Sequence, residues 1–185
     1  MALKIGQFTN DGEVPAFQRD GFEAVEFKNG SRCALVRSAL DPIGFLQHLL
    51  NKSPDPVSLL YVLLVPRRKE DECGRYESPY VSVAEAAEFL RRFAEFLTSD
   101  GRHELWIHSP DFFDIGYDRH ERIWVYGDLD AITAWIEEAG VKQEPLEPIP
   151  VPHSHHYHPE FDKDESEQLA YWAWHKTPLH DGDGD

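Results

Sequence analysis

The sequence predicts an α+β fold: an antiparallel or mixed β-sheet with three packed helices, then a Pro/His-rich linker and a short C-terminal helix. Three observations carry this. Strand-like segments come in hairpin runs, and a sustained β-α-β alternation is missing. Three segments repeat their apolar residues at helical spacing and carry helix caps. Prolines crowd the chain after residue 143. A length of 185 residues suits one main domain, read as residues 1–142, with an appendage over 143–185.

Leu3 to Phe8 reads as a short strand, and Asn10-Asp11-Gly12 as a turn. Phe22 to Phe27 and Arg32 to Ser38 flank Asn29-Gly30, a hairpin signal because glycine accepts positive φ. Asp41-Pro42 opens the first helix: Asp suits the N-cap and Pro the first helical position. Ile43, Leu46, Leu49 and Leu50 form its apolar stripe, and Ser53-Pro54-Asp55-Pro56 stops it. Val57 to Val65 is almost wholly apolar, as expected of a central strand with both faces covered. A charged loop over residues 66–72 follows. The second helix is expected from Val83 to Thr98, opened by the Ser82/Glu85 capping box and striped by Ala86, Phe89, Leu90, Phe93 and Leu97. Leu105 to Ile107 reads as a strand, and Phe112–Tyr117 with Arg122–Tyr126 as a hairpin. Asp128 caps the third helix, which Gly140 ends.

Residues 143 to 161 contain Pro145, Pro148, Pro150, Pro152 and Pro159, the composition of an extended polyproline-like linker. A short helix is expected from Ser166 to Lys176, carrying Tyr171, Trp172 and Trp174. The terminal run Asp181-Gly182-Asp183-Gly184-Asp185 offers nothing to bury and reads as disordered.

Thirty-four acids face eighteen bases, a formal net charge of -16. Such a field repels nucleic-acid phosphates and anionic membrane surfaces, and it attracts a basic protein face. The two cysteines, Cys33 and Cys73, cannot build a disulfide framework. With no long apolar run at the N-terminus and no stretch long enough to span a bilayer, the expected location is cytoplasmic.

Four clusters are candidates for chemistry. In His153-Ser154-His155-His156-Tyr157-His158, imidazoles suit a divalent transition metal. In an extended chain His153 and His155 share one side, and His156 and His158 the other. A second set comprises His103, His108, Asp111, Asp114, Asp118 and His120 at strand ends and hairpin tips. His with carboxylate serves acid–base or metal chemistry, but the spacing fits no catalytic template. Arg67, Arg68, Lys69 and Arg75 form a basic patch for which the simplest account is neutralisation by Glu70, Asp71, Glu72 and Glu77. The fourth cluster is aromatic. Trp124 and Tyr126 alternate with apolar neighbours, so both faces of their strand are expected to be covered. Tyr171, Trp172 and Trp174 either dock back on the domain or anchor a partner.

Small size, acidity and the missing catalytic signature make this profile resemble bacterial immunity-type or accessory binding proteins. The resemblance is one of class and implies a non-enzymatic protein that binds a basic partner and needs no cofactor. On that reading Trp124, Tyr126, Tyr171, Trp172 and Trp174 form the contact surface. The alternative is a metal-dependent hydrolase with His153, His155, His156 and His158 as ligands. Self-association through the C-terminal segment is a third expectation.

Overall fold

A computed structural model describes residues 2–17, 19–38, 41–68 and 72–184. Its elements, in chain order, are β1 (Ile5–Thr9), β2 (Gly12–Pro15), β3 (Gly21–Glu26), β4 (Arg32–Arg37), α1 (Pro42–Leu50), β5 (Ser58–Leu63), β6 (Gly74–Glu77), α2 (Val83–Arg92), α3 (Ala94–Ser99), β7 (His103–Ser109), β8 (Phe113–Tyr117), β9 (Ile123–Gly127), α4 (Leu129–Glu138), β10 (His153–His155), α5 (Asp162–Leu169) and β11 (His175–Thr177). The main sheet is antiparallel and eight-stranded, in the order β11-β6-β5-β7-β8-β9-β4-β3. A second sheet has the order β10-β1-β2. The fold is therefore α+β, as the patterning predicts.

Local chemistry sets most element ends. At the β3–β4 turn the Asn29 side chain accepts from the Ser31 amide at 3.0 Å, and Gly30 has φ +81. Asp41 caps α1 by accepting from the Gly44 amide at 2.8 Å. Ser82 and Glu85 close the capping box of α2 in both directions. The single helix expected over 83–98 is instead two. Phe93, at φ -102 and with its buried ring against Phe89 and Tyr171, breaks the run.

One face of the main sheet carries the core. Leu59, Tyr61, Leu105, Ile107, Ile115 and Val125 meet Leu46, Leu50, Phe89, Leu97 and Ile136 from the helices, all at 1% exposure or less. β5 lies between β6 and β7, and Val62 on its other face is also buried. The opposite face is not covered by these helices. It presents Glu104, Trp106, His108, Asp114, Trp124 and Tyr126, of which the aromatic rings are half-buried.

The chain beyond residue 142 contributes strands to both sheets. β10 pairs with β1 (Ile5 opposite His155), and β11 extends the main sheet beside β6. The expected polyproline linker therefore contains a strand, because the edge of β1 offers it backbone partners. The short helix spans Asp162–Leu169 rather than 166–176, and Tyr171, Trp172 and Trp174 follow it. Their rings pack on Phe89 at 5.4, 4.7 and 6.0 Å between centroids.

Ion pairs fasten this segment. Arg102, fully buried, binds Asp100 at 2.7 Å, Glu165 at 2.9 Å and Asp162 at 3.2 Å. Arg67 donates to the Tyr157 carbonyl, Arg68 to Ser166, and Arg75 pairs with Asp183 at 2.6 Å. The basic patch thus engages the C-terminal segment, and Glu72 pairs with Lys176. Lys69, Glu70 and Asp71 lie outside the described residues. The terminal Asp/Gly run, expected to be unpacked, has a partly buried anchor because Arg75 supplies a counter-charge for Asp183. Gly184 meanwhile sits against Leu64. Among the described residues, no helix is long and apolar enough to cross a membrane.

Candidate metal centre

The β8–β9 turn is organised by one carboxylate. Asp118 accepts from the amides of His120 (2.8 Å) and Arg122 (2.9 Å), from Arg122 Nε (2.5 Å) and from the Trp124 indole (3.0 Å). Glu121 closes the turn at φ +59. These bonds fix the backbone that carries His120. β10 lies alongside, and its strand alternation sends His153 and His155 to one side. The β1–β10 register and the bond from the Gly101 amide to the His156 carbonyl (2.8 Å) hold β10 in place.

The result is a convergence of three imidazoles. His120, His153 and His155 each offer a ring nitrogen, and these atoms lie within 4.8 Å of one another. Ring centroids are 5.6 Å apart for His120 and His153, 4.8 Å for His120 and His155, and 5.3 Å for His153 and His155. The planes cross at 71° to 89°, so the rings meet edge to face around a common point.

Outer contacts orient the rings. His153 Nδ1 lies 2.7 Å from the Pro150 carbonyl, to which it donates, leaving the Nε2 lone pair free. His155 Nε2 accepts from Arg119 Nε at 3.2 Å, while its Nδ1 is buried beside Gly101. Arg122 Nη2 stands 3.5 Å from His120 Nδ1. Burial pushes His120 down to about 4 against the pull of Asp118, with Arg122, Arg119 and His153 adding to the fall. Burial, then Arg119, His120, His153 and Lys4, push His155 down to about 3. Both rings are therefore neutral near pH 7, the form that binds metal.

The four linker histidines do not act together. His156 Nε2 faces Glu13 Oε1 at 2.9 Å, and His158 Nε2 faces the Leu3 carbonyl at 2.9 Å, on the other side of the strand. Their rings stack at 5.7 Å. The second set also divides. His103 is fully buried between the Tyr61 and Phe96 rings, and burial holds its pKa well below the ordinary value. His108 Nδ1 binds Asp114 Oδ1 at 2.6 Å on the uncovered sheet face, about half-exposed. Asp111 is exposed in the β7–β8 turn at φ 57. Ser58, His108 and Asp114 stand in one row across β5, β7 and β8.

The aromatic set separates in the same way. Trp124 and Tyr126 lie beside Phe27 and Trp106 on the uncovered sheet face. Tyr171, Trp172 and Trp174 pack on α2 instead. Sequence reading placed His120 and His153/His155 in different clusters. Its one usable signal was the His-x-His alternation of a strand. No protein-family model matches the chain, and no curated protein or solved structure does.

Proposed function

We propose that this protein binds a divalent transition-metal ion through His120, His153 and His155. The observation that supports this most directly is the approach of three ring nitrogens, from two distant segments, to within 4.8 Å of one another. Three imidazoles favour zinc, copper, nickel or cobalt over the hard cations that prefer oxygen. The ion joins the β8–β9 turn to β10, so its binding free energy adds to the stability of the C-terminal segment. Hydrolysis is a weaker reading of the same centre. The neighbouring carboxylate, Asp118, already accepts four hydrogen bonds and is not free to act as a general base.

The test is zinc titration of protein purified without an affinity tag, followed by calorimetry and a competing chelator. One equivalent should bind. Alanine at His120, His153 or His155 should weaken binding by about 100-fold or more, since losing a ligand exceeds the 10–100-fold cost of losing an outer contact. His156→Ala and His158→Ala should change it little. Equal binding by the triple variant, or loss in the His156 and His158 variants instead, refutes the proposal.

Protein binding is a second reading, favoured by the uncovered sheet face with its half-buried Trp106, Trp124 and Tyr126 and by the net charge of -16. Tyr171, Trp172 and Trp174 are engaged within the chain, so this reading rests on Trp124 and Tyr126. It requires salt-sensitive association with a basic protein, weakened by Trp124→Ala. Affinity indifferent to ionic strength removes the electrostatic part.

A further inference from the structure

We infer that a metal ion at this centre takes a small oxyanion from solution as its fourth ligand, with Arg119 holding the anion. The inference rests on the metal reading. Among the described residues, the group of ligand atoms that converge here consists of the three imidazoles alone. Three protein ligands leave one corner of a tetrahedral site open to a solution species.

Charge decides which species. His155 Nδ1 turns toward Gly101, which leaves Nε2 on the side of the hairpin that carries His120. That Nε2 lone pair accepts from Arg119 at 3.2 Å. A lone pair serves a metal or an N–H donor, not both. On metal binding the Arg119 Nε–H therefore loses its acceptor while a divalent cation arrives beside it. Arg122 also stands near His120, but it is paired with Asp118 at 2.5 Å, so the displaced Arg119 is the group that decides. A neutral water on the metal would leave the Arg119 guanidinium beside the cation with its acceptor displaced. An oxyanion offsets their charge, and a second oxygen accepts from the displaced guanidinium.

The full chain loaded with one equivalent of Co2+ gives the readout, because visible cobalt absorption reports a change of ligand. Inorganic phosphate and acetate are titrated separately at fixed ionic strength with perchlorate. A saturable spectral change with either supports the inference, and the stronger of the two identifies the oxyanion preferred. Arg119→Gln should weaken that anion by about tenfold, the loss of one charge-assisted contact, when measured on variant protein saturated with Co2+ at that variant's own affinity. A cobalt spectrum indifferent to both anions overturns the inference, as does an unchanged anion affinity in Arg119→Gln. The parent titration stands alone if that variant fails to fold. Failure of the metal reading looks different: Co2+ does not bind, or binds equally in the histidine variants.

Discussion

Replacing Arg102 by methionine is expected to be the most damaging single change outside the helical core. The guanidinium has no exposure to solvent and makes five bonds: Asp100 at 2.7 and 2.8 Å, Glu165 at 2.9 Å, Asp162 at 3.2 Å and the His158 carbonyl at 3.0 Å. Burial opposes its charge, but the Asp100 and Glu165 carboxylates outweigh burial and raise its pKa above the usual guanidinium value. Methionine fills similar volume and removes the charge. Asp100 and Glu165, both fully buried, lose the Arg102 ion pair. Breaking a buried ion pair from one side costs about 3–5 kcal/mol. For a chain of this size that lowers the melting temperature by roughly 6–20 °C, at about 2–4 °C per kcal/mol. Urea melts and calorimetry measure it. A double-variant cycle separates charge from packing. Glu165→Leu alone should destabilise, but in the Arg102→Met background it should restore about 1–3 kcal/mol by removing a buried charge that no longer has the guanidinium. Asp100 is unsuitable for the same test, since it also accepts from the Arg102 and His158 amides. A loss under about 1 kcal/mol for Arg102→Met, the range of a surface pair, refutes the reasoning. So does an additive effect of Glu165→Leu.

Two further outcomes follow from single residues. Burial, reinforced by Asp118 and opposed by Lys4, raises Glu104 from 4.5 to about 7. The native chain then holds that proton more tightly than the unfolded one, so Glu104 makes stability fall as pH rises from about 4.5 to about 7. Glu104→Gln should remove this slope and gain about 2–3 kcal/mol on the parent between about pH 5 and pH 8 in urea melts; parallel stability curves would sink the assignment. At Gly116, an added Cβ falls 2.6 Å from the Trp106 ring. Gly116→Ala should cost about 1–3 kcal/mol and shift tryptophan emission as Trp106 is displaced, and an unchanged spectrum with unchanged stability refutes the close contact.

The sequence by itself determined the elements whose causes lie within a few residues. Ser82 and Glu85 meet across one helical turn, Asp41 reaches Gly44, and Asn29-Gly30 sets its own reversal. Each depends on bonds between near neighbours, so each is written in the local order of residues. The almost wholly apolar run around β5 was equally legible, because a strand with residues buried on both faces, as Tyr61 and Val62 are, needs apolar side chains on each. Only the tertiary structure decided what those elements bring together. His120 joins His153 and His155 because the β1–β10 register and the Asp118-bound turn place two distant segments at one point. No spacing in the chain encodes that register. Arg75 finds Asp183, and Arg102 finds Glu165, for the same reason. In a chain with nearly twice as many acids as bases, charge alone offers many partners, and only packing selects among them. The break at Phe93 was likewise not legible locally, since the apolar stripe from Ala86 to Leu97 runs straight through it.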